Sequence, residues 1–149
     1  MDTQANTPAQ TPTELAVQFF ERLSPSDLTR MDQIYSDDAY FKDPFNDVKG
    51  VAAITHIFAH MFAKVDKPTF IVSSSITQNT EAFLVWDFHL SFKGENKPRV
   101  IHGSSHLRFD TNGKINYHRD YWDAAEELYE KLPFIGGFMR FLKRQANKT

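Results

Sequence analysis

The sequence predicts an α+β domain in which three helices come first and an antiparallel sheet follows. Three observations predict it. Apolar residues recur at helical spacing as far as Val65. From Thr69 onward they alternate with polar residues at period two. Short turn signals, Asn79-Thr80-Glu81, Gly94-Glu95-Asn96 and Asp110-Thr111-Asn112-Gly113, divide that second half into four segments.

Each element has its own signal. Residues Met1 to Gln10 are polar and Pro-containing and are read as a disordered arm. Thr11-Pro12-Thr13-Glu14 is a capping box with Pro at the first helical position, and Leu15, Ala16, Phe19, Phe20 and Leu23 follow on one face. Ser24-Pro25-Ser26-Asp27 repeats the start signal for a second short helix carrying Leu28, Met31, Ile34 and Tyr35. Asp37-Asp38 leads into a short strand, Ala39 to Asp43, which Pro44 ends because it has no N–H to give to a ladder. Gly50 precedes a third helix, Val51 to Val65, with Val51, Ile54, Ile57, Phe58, Met61 and Phe62 as its apolar stripe. The strands are then Thr69–Gln78, Ala82–Lys93, Arg99–Phe109 and Lys114–Trp122, an antiparallel meander.

Composition narrows the function. The chain has 149 residues, enough for one domain, and a net charge of −2 without a basic stripe, which argues against nucleic acid. It has no cysteine, which excludes disulfides and thiolate metal sites. No signal peptide or membrane span is apparent, so the expected compartment is the cytoplasm. Fourteen Phe suit a core and also the walls around a lipophilic ligand.

Alternation assigns the faces. Leu84, Trp86, Phe88, Leu90 and Phe92 form the inner set of one strand, and Ile101, Gly103, Ser105, Leu107 and Phe109 that of the next. Gly103 on the inner face leaves room for a ligand or a bend. The last strand is ambiguous: Asn116, His118, Asp120 and Trp122 share one face, Ile115, Tyr117, Arg119 and Tyr121 the other.

Three motifs, Tyr35-Ser36-Asp37-Asp38-Ala39-Tyr40-Phe41-Lys42-Asp43-Pro44, Gly50-Val51-Ala52-Ala53-Ile54 and His118-Arg119-Asp120-Tyr121-Trp122-Asp123, resemble the nuclear transport factor 2-like superfamily. That superfamily includes ketosteroid isomerases, limonene epoxide hydrolases and SnoaL-like polyketide cyclases. The resemblance implies a cone-shaped curved sheet wrapped around the N-terminal helices, a cystatin-like α+β barrel with an internal pocket. It spans residues 13–123, flanked by the arm at 1–12 and an amphipathic helical tail at 124–149. Asp43 falls where the isomerases place their base, whereas their oxyanion-hole Tyr and Asp are Phe20 and Ser105 here. Phe20 cannot donate, which disfavours steroid isomerisation. Asp120 matches an Asp of the epoxide hydrolases, whose relay Arg and Asp become Trp86 and Phe88 and whose Asn and Tyr become Asp43 and Phe41. The match turns Asn116, His118, Asp120 and Trp122 toward the cavity.

The expected site therefore joins Asp43, His118 and Asp120, as acid–base groups, to a pocket of Phe20, Phe41, Trp86, Phe88, Ser105 and Trp122. Proton abstraction by Asp43, with His118 or Asp120 as partner, is the catalytic reading. Against it stand plainer roles: Asp43 as an Asx cap of the next loop, Asp120 paired within the sheet, and His118 as a wall residue. His56 and His60 are assigned to the surface or helix packing, because Ile57 stands where a zinc-protease helix has Glu. Two functions remain open. One is a cofactor-free isomerase, cyclase or hydrolase for a small hydrophobic molecule. The other is a non-catalytic binding module for such a ligand or a partner protein. The outer sheet face, with Asp87, His89, Ser91, Ser104 and His106, is the expected homodimer surface. The tail, with Leu128, Phe134, Phe138 and Phe141 beside Lys131, Arg140 and Lys143, is expected to dock on the domain or on a partner subunit, or to touch an anionic membrane surface weakly.

Overall fold

The computed structural model describes residues 8–128, together with 140 and 144–146. The tail beyond 128 is therefore almost wholly outside the described residues, as is most of the N-terminal arm. Among the described residues, no helix is long and apolar enough to cross a membrane.

Helix α1 spans Pro12–Glu21, opened by the capping box: Glu14 N–H reaches Thr11 Oγ1 at 3.2 Å and Thr11 N–H reaches Glu14 Oε2 at 2.8 Å. It buries Ala16 and Phe20. The second helix does not form. Asp27 ties back to Ser24 through both N–H and hydroxyl, and two 3₁₀ turns, Pro25–Thr29 and Met31–Gln33, take its place. Tyr35 and the two aspartates then enter a strand, because Ile34 and Tyr35 already pair with Ile115.

Strand β1 is Tyr35–Lys42, longer than the sequence suggests, and β2 is a short Asp47–Lys49 that the sequence did not signal. Gly50, at φ 102°, supplies the left-handed turn into α2, Val51–Lys64. The meander follows as β3 Val65–Gln78, β4 Glu81–Phe92, β5 Arg99–Phe109 and β6 Ile115–Tyr121, then a short α3, Ala124–Glu127.

The sheet order is β2-β1-β6-β5-β4-β3. Four of its five pairings are antiparallel, but β1 lies parallel to β6, so the sheet is mixed. It is curved and does not close, the cone-like α+β arrangement of a curved sheet around the N-terminal helices that the sequence predicts. The edge at β3 is partly covered: Glu21 at the end of α1 accepts the Val72 N–H at 2.9 Å, and Thr13 meets Thr77 at 2.9 Å. The concave face packs on α1 and α2 around Tyr35, Ala39, Phe41, Ile54, Phe58, Leu84, Leu107 and Ile115, all buried.

Candidate functional site

The concave face encloses a cavity of about 440 Å³, within the usual range for small-molecule pockets. Its walls come from every layer. Strand alternation delivers Leu84, Trp86 and Phe88 from β4, and Ile101 and Ser105 from β5. Strand β6 contributes His118 and Asp120, with Trp122 just beyond its end. Helix α1 contributes Phe20, and β1 with its following loop contributes Phe41, Asp43 and Asn46.

Most of the lining is apolar, and the polar groups are organised. His118 and Asp120 lie two apart on one strand face, so the imidazole can bond the carboxylate: His118 Nε2 to Asp120 Oδ1 is 2.7 Å. On the other ring nitrogen, the Tyr35 hydroxyl lies 2.7 Å from His118 Nδ1. Ser105 sits opposite Asp120 in the β5–β6 register, and its hydroxyl donates to Asp120 Oδ1 at 2.5 Å. Trp86 Nε1–H donates to Ser105 Oγ at 2.8 Å. One proton arrangement satisfies the whole chain: Tyr35 O–H donates to Nδ1, and Nε2–H donates to the ionised Asp120.

Burial pushes the Tyr35 hydroxyl well above its ordinary pKa, and the Asp120 charge adds to the rise. Tyr35 therefore stays protonated as a donor. His118 is only 3% exposed and wedged between rings: Phe41 meets it edge-on at 4.8 Å, Phe20 at 5.5 Å, and Tyr35 stacks on it at 6.0 Å. Both of its nitrogens are engaged, so it orients Asp120.

All nine residues singled out in the sequence line this cavity. Their roles differ from one another. Asp43 has both placements at once: it lines the cavity, and its carboxylate also makes the Asx turn. Oδ1 accepts from the N–H groups of Phe45 and Asn46, each at 2.7 Å, and Asn46 Nδ2 lies 3.0 Å from both oxygens. Ser105 is already committed to Asp120 and Trp86, which leaves it no spare proton for a ligand oxyanion. Asn116 is exposed and does not line the cavity, because a bulge between Arg108 and Phe109 turns Ile115 inward instead. His56 and His60 are exposed on α2, as a surface role requires, and they also border the cavity.

Sequence reasoning missed Tyr35, Asn46, Phe70 and Val72 as well as these histidines. Tyr35 carried a signal: Tyr35, Ala39 and Phe41 keep period two, hidden by the exposed Asp37 between them. Phe70 stacks on Phe88 at 4.3 Å and meets Trp86 edge-on at 5.5 Å, completing the aromatic wall. Among the described residues, no group of three or more His, Cys, Asp or Glu is arranged to hold a metal.

Comparison with known proteins places this architecture. The SnoaL-like domain model matches residues 16–118. The chain belongs to the SnoaL-like domain family. Three solved structures illustrate the likeness. A hypothetical protein with a ketosteroid isomerase-like fold from Catenulispora acidiphila, in complex with trimethylamine, is 14% identical at a TM-score of 0.69, with 80% of this chain and 92% of that one covered. A putative SnoaL-like polyketide cyclase from Shewanella putrefaciens is 17% identical at a TM-score of 0.68, with coverage of 81% and 98%. A computationally designed 17-OHP binder is 21% identical at a TM-score of 0.65, with coverage of 76% and 95%. No curated protein matches the sequence significantly. At these identities the structures establish the SnoaL-like fold and leave the chemistry to the site.

Proposed function

We propose that this SnoaL-like protein takes a small hydrophobic molecule into the cavity and moves a proton on it, with Asp120 as the group that accepts and returns the proton. One observation carries the proposal. His118 and Ser105 both bond Oδ1 of Asp120, while no hydrogen bond among the described residues reaches Oδ2. The carboxylate is thus fixed by one oxygen and open at the other, in a cavity walled by Phe20, Phe41, Trp86 and Phe88.

The step suited to this group is removal of a proton from a carbon next to a carbonyl. The C–H electron pair stays on the substrate as an enolate, Asp120 holds the proton, and the same proton returns at another position or after ring closure. No cofactor is consumed in that sequence. His118 and Tyr35 act as positioning residues, holding the carboxylate in place.

A binding module is the second reading, and a specific observation favours it. The hydroxyl of Ser105 is already used, Phe20 has none, and Asp43 is held in its turn, so oxyanion donors are scarce.

The test is hydrogen–deuterium exchange at α-carbons, followed by NMR with a panel of lipophilic ketones in D₂O. Exchange by the native protein, lost by about 10²-fold or more in Asp120→Asn with binding retained, supports proton transfer. Tight binding of a ketone without exchange supports the binding module instead.

A further inference from the structure

On the inner sheet face, one pleat beyond the cavity-lining Ile101, a second polar feature stands apart from the Asp120 relay. Arg99 opens β5 on the inner face, in register with the buried Leu90 and two residues from Ile101, which lines the cavity. Its side chain is only 10% exposed. One guanidinium nitrogen, Nη2, pairs with Glu95 at 2.9 Å, and the group lies 5.3 Å over the Phe92 ring. The Nε and Nη1 donors are buried and have no partner. Buried donors are nearly always satisfied, so two on one cation point to a missing acceptor.

The surroundings agree with an anion. Lys93 N–H reaches the Lys64 carbonyl at 3.0 Å, which brings the Phe92 end of β4 to the C-terminal end of α2. His60 lies one turn before Lys64, and His56 one turn earlier still; both line the cavity. Neither imidazole has a hydrogen-bond partner among the described residues. This end therefore combines Arg99, Lys64, Lys93 and two imidazoles with two exposed carboxylates, Glu95 in the Arg99 pair and Asp66 beside Lys64.

We propose that Arg99, together with the cavity-lining His60 and His56 of α2, receives the anionic group of the ligand, so that the molecule bound is a lipophilic acid with its apolar body against the aromatic wall. The assignment rests on the cavity being the ligand site. It gives the ligand an orientation: carboxylate toward Arg99, apolar body toward Asp120. Arginine suits the role because its planar fork pairs with a carboxylate in bidentate fashion.

The test uses a matched pair of probes, decanoate and decanol, titrated by calorimetry into the native protein, Arg99→Met and His60→Gln. Arg99→Met keeps the apolar stem, and His60→Gln alters an exposed position. Near-UV circular dichroism checks that each variant is folded. The native protein is expected to bind decanoate about tenfold or more tighter than decanol, as a charge-assisted contact implies. Arg99→Met should abolish that margin without weakening decanol, and His60→Gln should reduce it. Equal affinity of the native protein for acid and alcohol overturns the anion site and leaves the cavity reading standing. Binding of neither probe overturns both.

Discussion

Gly103 lies flat against the Trp86 indole: a Cβ at position 103 would stand 2.5 Å from Trp86 Cη2 and under 3 Å from two more ring carbons. The two residues face each other in the β4–β5 register. The space that glycine leaves is thus filled by the protein's own tryptophan, which is what lets Nε1 reach Ser105. Gly103→Ala must displace the ring, and overpacking of this kind costs about 1–3 kcal/mol. The expected outcome is a lower Tm, a changed near-UV spectrum and weaker ligand binding. An unchanged spectrum would show that the indole does not depend on the glycine.

Part of this site was legible and part was not, for a physical reason. Period two is a local rule, so it suffices to put His118, Asp120 and Trp122 on one wall and Trp86 with Phe88 on another. It fails where the ladder slips, and the bulge beside Phe109 is why Asn116 went to the wrong side. Local rules also say nothing about pairing between distant segments. Tyr35 and His118 are separated by 83 positions and meet only because β1 runs parallel to β6. The 3₁₀ turns show a similar limit: the start signal at Ser24 was real, but a start signal does not determine how far a helix continues.

Tyr35→Phe removes the donor to His118 Nδ1 and leaves a buried acceptor unpaired, a loss of about 1–3 kcal/mol. It also has a pH signature. Burial raises the Tyr35 pKa in the folded state, so its contribution is complete below the ordinary tyrosine value of about 10 and is lost as pH climbs above it. Above that pH the unfolded chain releases a proton that the folded chain retains, which favours unfolding. Tyr40, raised mainly by its hydrogen bond to Asp47, adds a slope of the same sign. Denaturant titrations from pH 9 to 11 should therefore show a shallower alkaline loss in Tyr35→Phe than in the native protein. Identical slopes would contradict the buried, protonated tyrosine.

Asp43 and Asp120 make a discriminating pair. If Asp120 is the base, Asp43→Asn should keep α-proton exchange within a few fold, because an amide oxygen can still cap the turn N–H groups. Its stability should fall by about 1 kcal/mol, as the contact of Asn46 Nδ2 with the second oxygen is lost. A drop in exchange of about 10²-fold in Asp43→Asn, with Asp120→Asn nearly unaffected, would move the base to Asp43 and reduce the Asp120 relay to a structural network.

The convex face supports a final prediction, a homodimer. Ile76 is 66% exposed, Ile71 49%, Val85 46% and Phe83 44%. Register puts them together, since Ile76 pairs with Phe83 and Ile71 stands beside Asp87. A monomer would present this apolar strip to water, whereas a two-fold copy would cover it with the same strip. Around it the polar groups are already paired: Asp87 with His102 at 2.5 Å, and His106 with Glu81 at 2.9 Å while stacked on Phe83. Burying such pairs costs less than burying lone charges. Ile76→Lys should thus halve the native mass measured by light scattering at micromolar concentration, with the monomer still folded because the side chain supports no core contact. A native protein that is monomeric under the same conditions would exclude this dimer and leave the strip for a different partner.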